Sequence, residues 1–250
     1  MLAPRVVHAS FIRFKNPLGR AAWALAAPIH VRVIPYLLTR AARDAAPART
    51  TRLPSAEHTS RPLRIHELAA DFRLEDVWAL PTPGGASDFP ALVQMLAGRD
   101  PARGSPGASR VLWSIRLKLG KLLGWDDPHA GLGSRVPTLR DRLPEDLREG
   151  SPGPDSPTLP FTSLYVTDDE WASEIANKTV HAIMHIAWVP DGAGRYRGQM
   201  AVYVKPNGAL GNLYMLAIRP FRHLIVYPAM LRQIERRWRA RADGASRTPA

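Results

Sequence analysis

The run from Tyr196 to Arg241 constrains this chain more than any other stretch: YRGQMAVYVKPNGALGNLYMLAIRPFRHLIVYPAMLRQIERRWRAR. Tyr196–Lys205 alternates in period two, as a strand does, and a Pro-Asn-Gly turn follows. From there Leu210, Leu213, Tyr214, Ala217, Phe221, Leu224, Ile225, Leu231 and Trp238 keep helical spacing. Pro220 and Pro228 each remove a backbone donor, which predicts a kink or break near them. The helix is apolar nearly all round until Arg232. Such a helix is either covered on two sides or turns one side to a ligand cavity, a partner or a membrane.

The segments ahead of it supply a sheet. Thr179–Val189 places Val180, Ala182, Met184, Ile186 and Trp188 on one face and His181, Ile183, His185 and Ala187 on the other. The turn Pro190–Arg195 makes a hairpin with Tyr196–Lys205. Pairing Val189 with Arg195 would set Gln199 across from His185 and Tyr203 across from His181. One face is then apolar and the other carries His, Gln and Tyr. Phe161–Val166 and Glu75–Leu80 read as further strands, the latter stopped by Pro81-Thr-Pro-Gly-Gly85. Thr167-Asp-Asp-Glu170 reads as a capping box for a short helix through about Ala176. Ser87 or Asp88 caps a helix to about Ala97 with Phe89, Leu92, Val93 and Leu96 on one face. Arg110–Leu123 carries an apolar stripe opposite Arg116, Lys118 and Lys121, an amphipathic helix facing the core. Ile65–Phe72 is a short mixed segment and Trp125–Pro160 a long irregular one.

Charge is concentrated at the ends. Of the net +12, residues 1–50 hold +7 and residues 210–250 hold +6, leaving 51–209 at −1. A near-neutral centre argues against specific nucleic-acid binding. The basic ends read as solvated, with weak contact to anionic membrane as their further use. Ala21–Leu38 is apolar, yet His30, Arg32 and two prolines oppose a membrane span. The chain has no cysteine, which rules out disulfides and thiolate chemistry and makes the cytoplasm the expected location. The expected organisation is a basic Ala/Arg-rich extension at 1–50, a linker at 51–62, one domain at 63–241 and a tail at 242–250.

Motifs of known chemistry are scarce. On a helix His181 and His185 could share a metal ion, but on a strand their rings stand ~13 Å apart at ~3.3 Å per residue. No metal site is expected. Gly131-Leu-Gly-Ser134 lacks the G-x-S-x-G of a nucleophile elbow and the remaining glycines of a dinucleotide loop. Arg135, Arg140 and Arg142 are expected to pair locally with Asp141, Glu145 and Asp146 rather than grip a phosphate. Asp126, Asp127 and His129 read as a solvated turn. No cofactor and no catalytic residue is assigned.

The pattern of a strand, then K-P-N-G-x-L-G-x-x-Y, then P-F-R-H-x-I-V-Y, resembles an uncharacterised bacterial domain family. Members stand alone or are fused C-terminal to short-chain-dehydrogenase-like NAD-binding domains. The resemblance rests on Gly208, Leu210, Gly211, Tyr214, Pro220, Phe221, His223 and Ile225. EDVWALPTPGG, GLGSRVPTLRDRLP and DEWASEIANKTVHAIMH fit the same standalone family, so it spans about residues 53–240. The family is similar to the START/polyketide-cyclase (SRPBCC) helix-grip superfamily. That likeness implies an α+β fold, a curved antiparallel sheet around a long C-terminal helix, with a cavity between them. It carries no catalytic residues and, without a Rossmann half, no nicotinamide role.

The expected function is therefore binding of a small apolar ligand between sheet and helix, lined by Trp78, Met184, Trp188, Met200, Tyr214, Phe221 and His223. The alternative is a cyclase- or hydrolase-like enzyme of the same fold, using His181, His185 or His223 as acid or base. That reading weakens if His181 and His185 face bulk solvent. A further alternative is a membrane-surface or protein-interaction module.

Overall fold

The computed structural model describes residues 52–98, 132, 136–155, 161–177, 179–192 and 194–245. All belong to one compact unit, Arg49–Ala250. The expected helix at 110–123, the apolar segment at 21–38, the 126–129 turn and Arg135 lie outside the described residues, as do the side chains of Tyr214 and Phe221.

The fold is α+β. Five strands, β1 (Arg73–Ala79), β2 (Thr162–Val166), β3 (Glu170–Ala176), β4 (Val180–Pro190) and β5 (Tyr196–Pro206), form one antiparallel curved sheet in the order β1-β5-β4-β3-β2. Helices α1 (Ala56–Thr59), α2 (Ile65–Leu68), α3 (Phe89–Ala97) and α4 (Glu145–Glu149) precede β2. After β5 come α5 (Gly208–Phe221), a π-helical turn (Arg222–Val226) and α6 (Tyr227–Ala245). The predicted break near the two prolines is that π turn, which lies between Pro220 and Pro228.

The alternation of β4 and β5 is kept, and each face has its own cover. On one face Trp78, Ile186, Trp188 and Met200 pack under Leu92 and Leu96 of α3 and Leu231, Ile234 and Trp238 of α6. On the other face Val77, Ile183, Ala201 and Tyr203 are covered by Ile65, Leu68, Leu139, Leu143 and Leu147. α1, within the expected 51–62 linker, packs in this second layer and buries His58 completely. Covering both faces is what makes the apolar residues of each strand so numerous.

Three local expectations are corrected. Residues 170–176 form a strand, not a helix. Thr167 Oγ1 does accept the Glu170 amide, at 3.0 Å, but Thr167 N donates to Glu170 O at 2.8 Å, so the same cap closes a hairpin turn between β2 and β3. The β4–β5 register is two residues away from the expected one. Val189 faces Arg197, His185 faces Ala201 and His181 faces Lys205. A shift of two preserves faces and changes neighbours. Finally, Arg142 pairs with Asp71 across the fold, and Asp146 pairs with Arg64. These are long-range ties, where local ones were expected.

Gly211 shows why α5 starts where it does. A Cβ there would collide with the carbonyl oxygen of Thr179. Only a glycine lets α5 lie this close to the end of β4.

Candidate functional site

The sheet carries a polar cluster on each face, and the two differ in access. The first lies on the β3–β4 ladder. Glu170 and Glu174 on β3 each sit diagonal to a histidine on β4, because Glu170 faces Ala187 and Glu174 faces Ile183. Glu170 Oε2 is 2.9 Å from His185 Nε2 and Glu174 Oε2 is 2.7 Å from His181 Nε2. Each glutamate also receives amides from one covering segment. Glu170 takes Arg64 N at 2.9 Å and Tyr165 Oη at 3.0 Å. Glu174 takes Leu139 N at 3.2 Å and the Thr138 hydroxyl. The pairs thus fasten the 52–68 and 138–147 segments to the sheet.

Around His185 the network continues. His58 Nδ1 lies 2.7 Å from Gln199 Oε1, and the His58 ring stands 5.2 Å from both His66 and His185. The Tyr203 hydroxyl lies 3.2 Å from His66 Nδ1. Burial and the neighbouring His185 push His58 down to about 4. Burial likewise lowers His185, against the pull of Glu170. Burial alone would raise Glu170, but the bonds from His185, Arg64 N and Tyr165 hold it below the usual carboxylate range. His58, His181, His185, Glu170, Glu174 and Gln199 are all buried. His181 and His185 do not face bulk solvent; both are sealed within the fold. They serve as fasteners.

The second cluster centres on Asp76. In β1 the register shifts between Leu74 and Asp76: Leu74 faces Tyr203 while Asp76 faces Val202. Strict alternation would put both on one face. The bulge at Glu75 instead leaves Leu74 in the second layer and turns Asp76 towards the C-terminal helix. There the π turn matches it. Hydrogen bonding five residues apart brings residues separated by five towards one helix face, so Arg222, His223 and Tyr227 converge on a single carboxylate.

Asp76 has no exposed side-chain surface and, among the described residues, three hydrogen-bond donors and one further ion-pair partner. Arg222 Nη2 lies at 3.0 Å, His223 Nε2 at 2.7 Å, Tyr227 Oη at 3.1 Å and Arg52 Nη2 at 3.3 Å. Glu75 adds a second carboxylate, 3.5 Å from Arg222 and paired with Arg73. Burial and Asp76 raise the Tyr227 hydroxyl, so it remains a donor. With Nε2 turned to Asp76, the Nδ1 of His223 is the nitrogen left for anything else. The cluster reaches the surface there: the side chains of His223 and Arg52 are 20% and 45% exposed.

Of the other expected lining residues whose side chains are described, Trp188 and Met200 are buried in the core and Met184 packs against it. Trp188 donates to Gly85 O at 2.9 Å and packs on Trp238 and Phe89. Met184 and Met200 border a cavity of about 50 Å³ with Leu80, Leu96, Ile186, Met230 and Ile234. Small-molecule clefts run to ~300–1,000 Å³, so this one has room for little more than water. Trp78 joins the polar cluster, with its ring 6.1 Å from His223 and 4.9 Å from Tyr227. Sequence reasoning placed His223 in the site but missed Asp76, Arg222, Tyr227 and Arg52. Among the described residues no three His, Asp or Glu side chains gather as metal ligands.

No curated protein matches the chain, and no solved structure does. A family model described as "Protein of unknown function (DUF2867)" matches residues 68–229, from α2 through β1 and the whole sheet to the start of α6, and so takes in Asp76, Arg222, His223 and Tyr227. The chain belongs to that family.

Proposed function

We propose that the domain takes a small molecule at the seam between sheet and C-terminal helix, with His223 as a general acid–base group oriented by Asp76. The helix-grip likeness supports the place, since ligands of that architecture lie between sheet and helix. The observation that carries the reading is the 2.7 Å contact between a fully buried carboxylate and a partly open imidazole. A carboxylate fixing one imidazole nitrogen leaves the other poised for proton transfer. Two backbone irregularities, the β1 bulge and the π turn, meet at this contact. Such features concentrate at functional sites. An apolar ligand held by Met184, Trp188 and Met200 finds less support, because those residues are packed.

The test is proton transfer with generic probes: p-nitrophenyl acetate hydrolysis, and deuterium uptake by small ketones followed by NMR. General acid–base groups contribute about 10²–10⁴-fold. His223→Gln should lose a rate of that order, while a folded His185→Gln protein keeps it. Equal rates for wild type and His223→Gln with every probe would remove the reading.

A second reading rests on a different observation. The exposed large hydrophobics among the described residues are Leu213, Leu216 and Val226, all on α5 or the π turn. With exposed Arg219 beside them, this face suits an anionic membrane surface.

A further inference from the structure

Two buried N–H donors in the Asp76 cluster have no acceptor: Trp78 Nε1 and Arg222 Nε. Trp78 is 5% exposed. Arg222 spends Nη2 on Asp76 and Glu75 and turns Nη1 to the Met215 sulfur, so its Nε–H is unspent. Asp76 is already met by three hydrogen-bond donors and the Arg52 ion pair, and it serves neither Trp78 Nε1 nor Arg222 Nε. A buried donor left unpaired is costly, and in a native protein it calls for an explanation. Charge points the same way. Among the described residues, the carboxylates paired with the guanidinium groups of Arg52, Arg73 and Arg222 are those of Glu75 and Asp76, which leaves one positive charge over.

From these donors and this charge we infer that the seam binds a small organic carboxylate. Its oxygens accept from Trp78 Nε1–H and Arg222 Nε–H, and its apolar part lies against the rings of Trp78 and Tyr227. A planar acceptor of single charge suits a guanidinium edge and an indole N–H. One surplus positive charge does not balance a doubly charged phosphate. This assignment rests on the Asp76 cluster being the functional centre, though not on His223 acting as a base.

The experiment uses the full chain labelled with ¹⁵N, with the Trp78 indole signal assigned through Trp78→Phe. The probes are acetate and benzoate, their neutral counterparts acetamide and benzamide, and inorganic phosphate. A carboxylate should shift the Trp78 indole signal saturably at about 10 mM or below, and the amides should not. Arg222→Lys keeps the charge and removes the Nε–H, so binding should weaken about tenfold or more. His223→Gln should bind much as the wild type does, so loss of acid–base activity without loss of this shift would leave the carboxylate site standing. The site is overturned by an unmoved Trp78 signal, by equal shifts from amides or phosphate, or by unchanged binding in Arg222→Lys. If proton transfer depends on His223 while the Trp78 signal stays still, the ligand class fails and the acid–base reading survives.

Discussion

A carboxylate with no exposed surface has to be matched by donors, and Asp76 is matched by Arg222, His223, Tyr227 and Arg52. Removing its charge leaves the Arg222 guanidinium and the His223 imidazole facing a neutral amide. Hydrogen bonds to charged groups are worth ~1.5–3 kcal/mol, so Asp76→Asn should cost about 2 kcal/mol or more in urea unfolding. His223→Gln, at a partly exposed position, should cost about 1 kcal/mol or less. A reversed order would mean that Asp76 is not the hub. His223 was legible as the one imidazole on an apolar helix. Asp76 was not, because a Glu-Asp pair inside an alternating strand looks like solvent-facing polarity. Nothing in the alternation marks a bulge that turns one of the two inward.

At the scale of elements, the two His–Glu pairs come from one register. With β3 and β4 antiparallel, Glu170 falls diagonal to His185 and Glu174 to His181 by the same offset. That pattern was in the sequence, but reading 167–176 as a helix hid it. The Thr167 cap serves a helix start and a tight turn equally well, and local chemistry could not choose. The strand pattern of β4 and β5 was plain because both covers bury alternate residues. Their exact register was not, since a two-residue slip keeps every face intact.

The sealed cluster has a pH signature. His58 is lowered to about 4 in the folded protein against an ordinary 6.5. Between those values the unfolded chain binds a proton that the folded one refuses, so stability falls as pH falls from about 6.5 towards 4. At 1.36 kcal/mol per unit the loss is roughly 3 kcal/mol. His185 and Glu170, both lowered, act in the same direction. Urea unfolding at stepped pH should show this slope, and His58→Asn should flatten it. A pH-independent midpoint over this range would contradict a sealed His58 that stays neutral in the folded protein. Gly211 offers a separate check on α5. Gly211→Ala pushes a methyl into the Thr179 carbonyl, and overpacking of this kind costs about 1–3 kcal/mol.

For the molecule as a whole, a sheet covered on both faces divides the labour between them. One face is closed by fasteners and the other meets the C-terminal helix around a polar seam that reaches solvent. The strands of the hairpin and the C-terminal helix were readable from periodicity, while the α+β class and the sheet–helix seam were what the family resemblance implied. The second cover was not, because 52–72 and 139–147 are too short and too polar to show it. No helix among the described residues is long and apolar enough to cross a membrane. If the exposed Leu213 and Leu216 meet a membrane surface, the full chain should sediment with phosphatidylserine vesicles at low salt and less so as salt screens the attraction. Leu213→Ser with Leu216→Ser should weaken that binding, and equal sedimentation of the two proteins would dismiss it.

The division between a sealed and an open imidazole cluster is tested most directly by chemical modification of the native protein. Diethyl pyrocarbonate acylates an accessible neutral imidazole nitrogen, and peptide mass spectrometry reads which histidine has reacted. His223 should be modified in the native protein, through its Nδ1, while His58, His181 and His185 stay protected until the fold is lost. Modification of His181 or His185 at the rate of His223, or protection of His223, would contradict the placement of the functional site at Asp76.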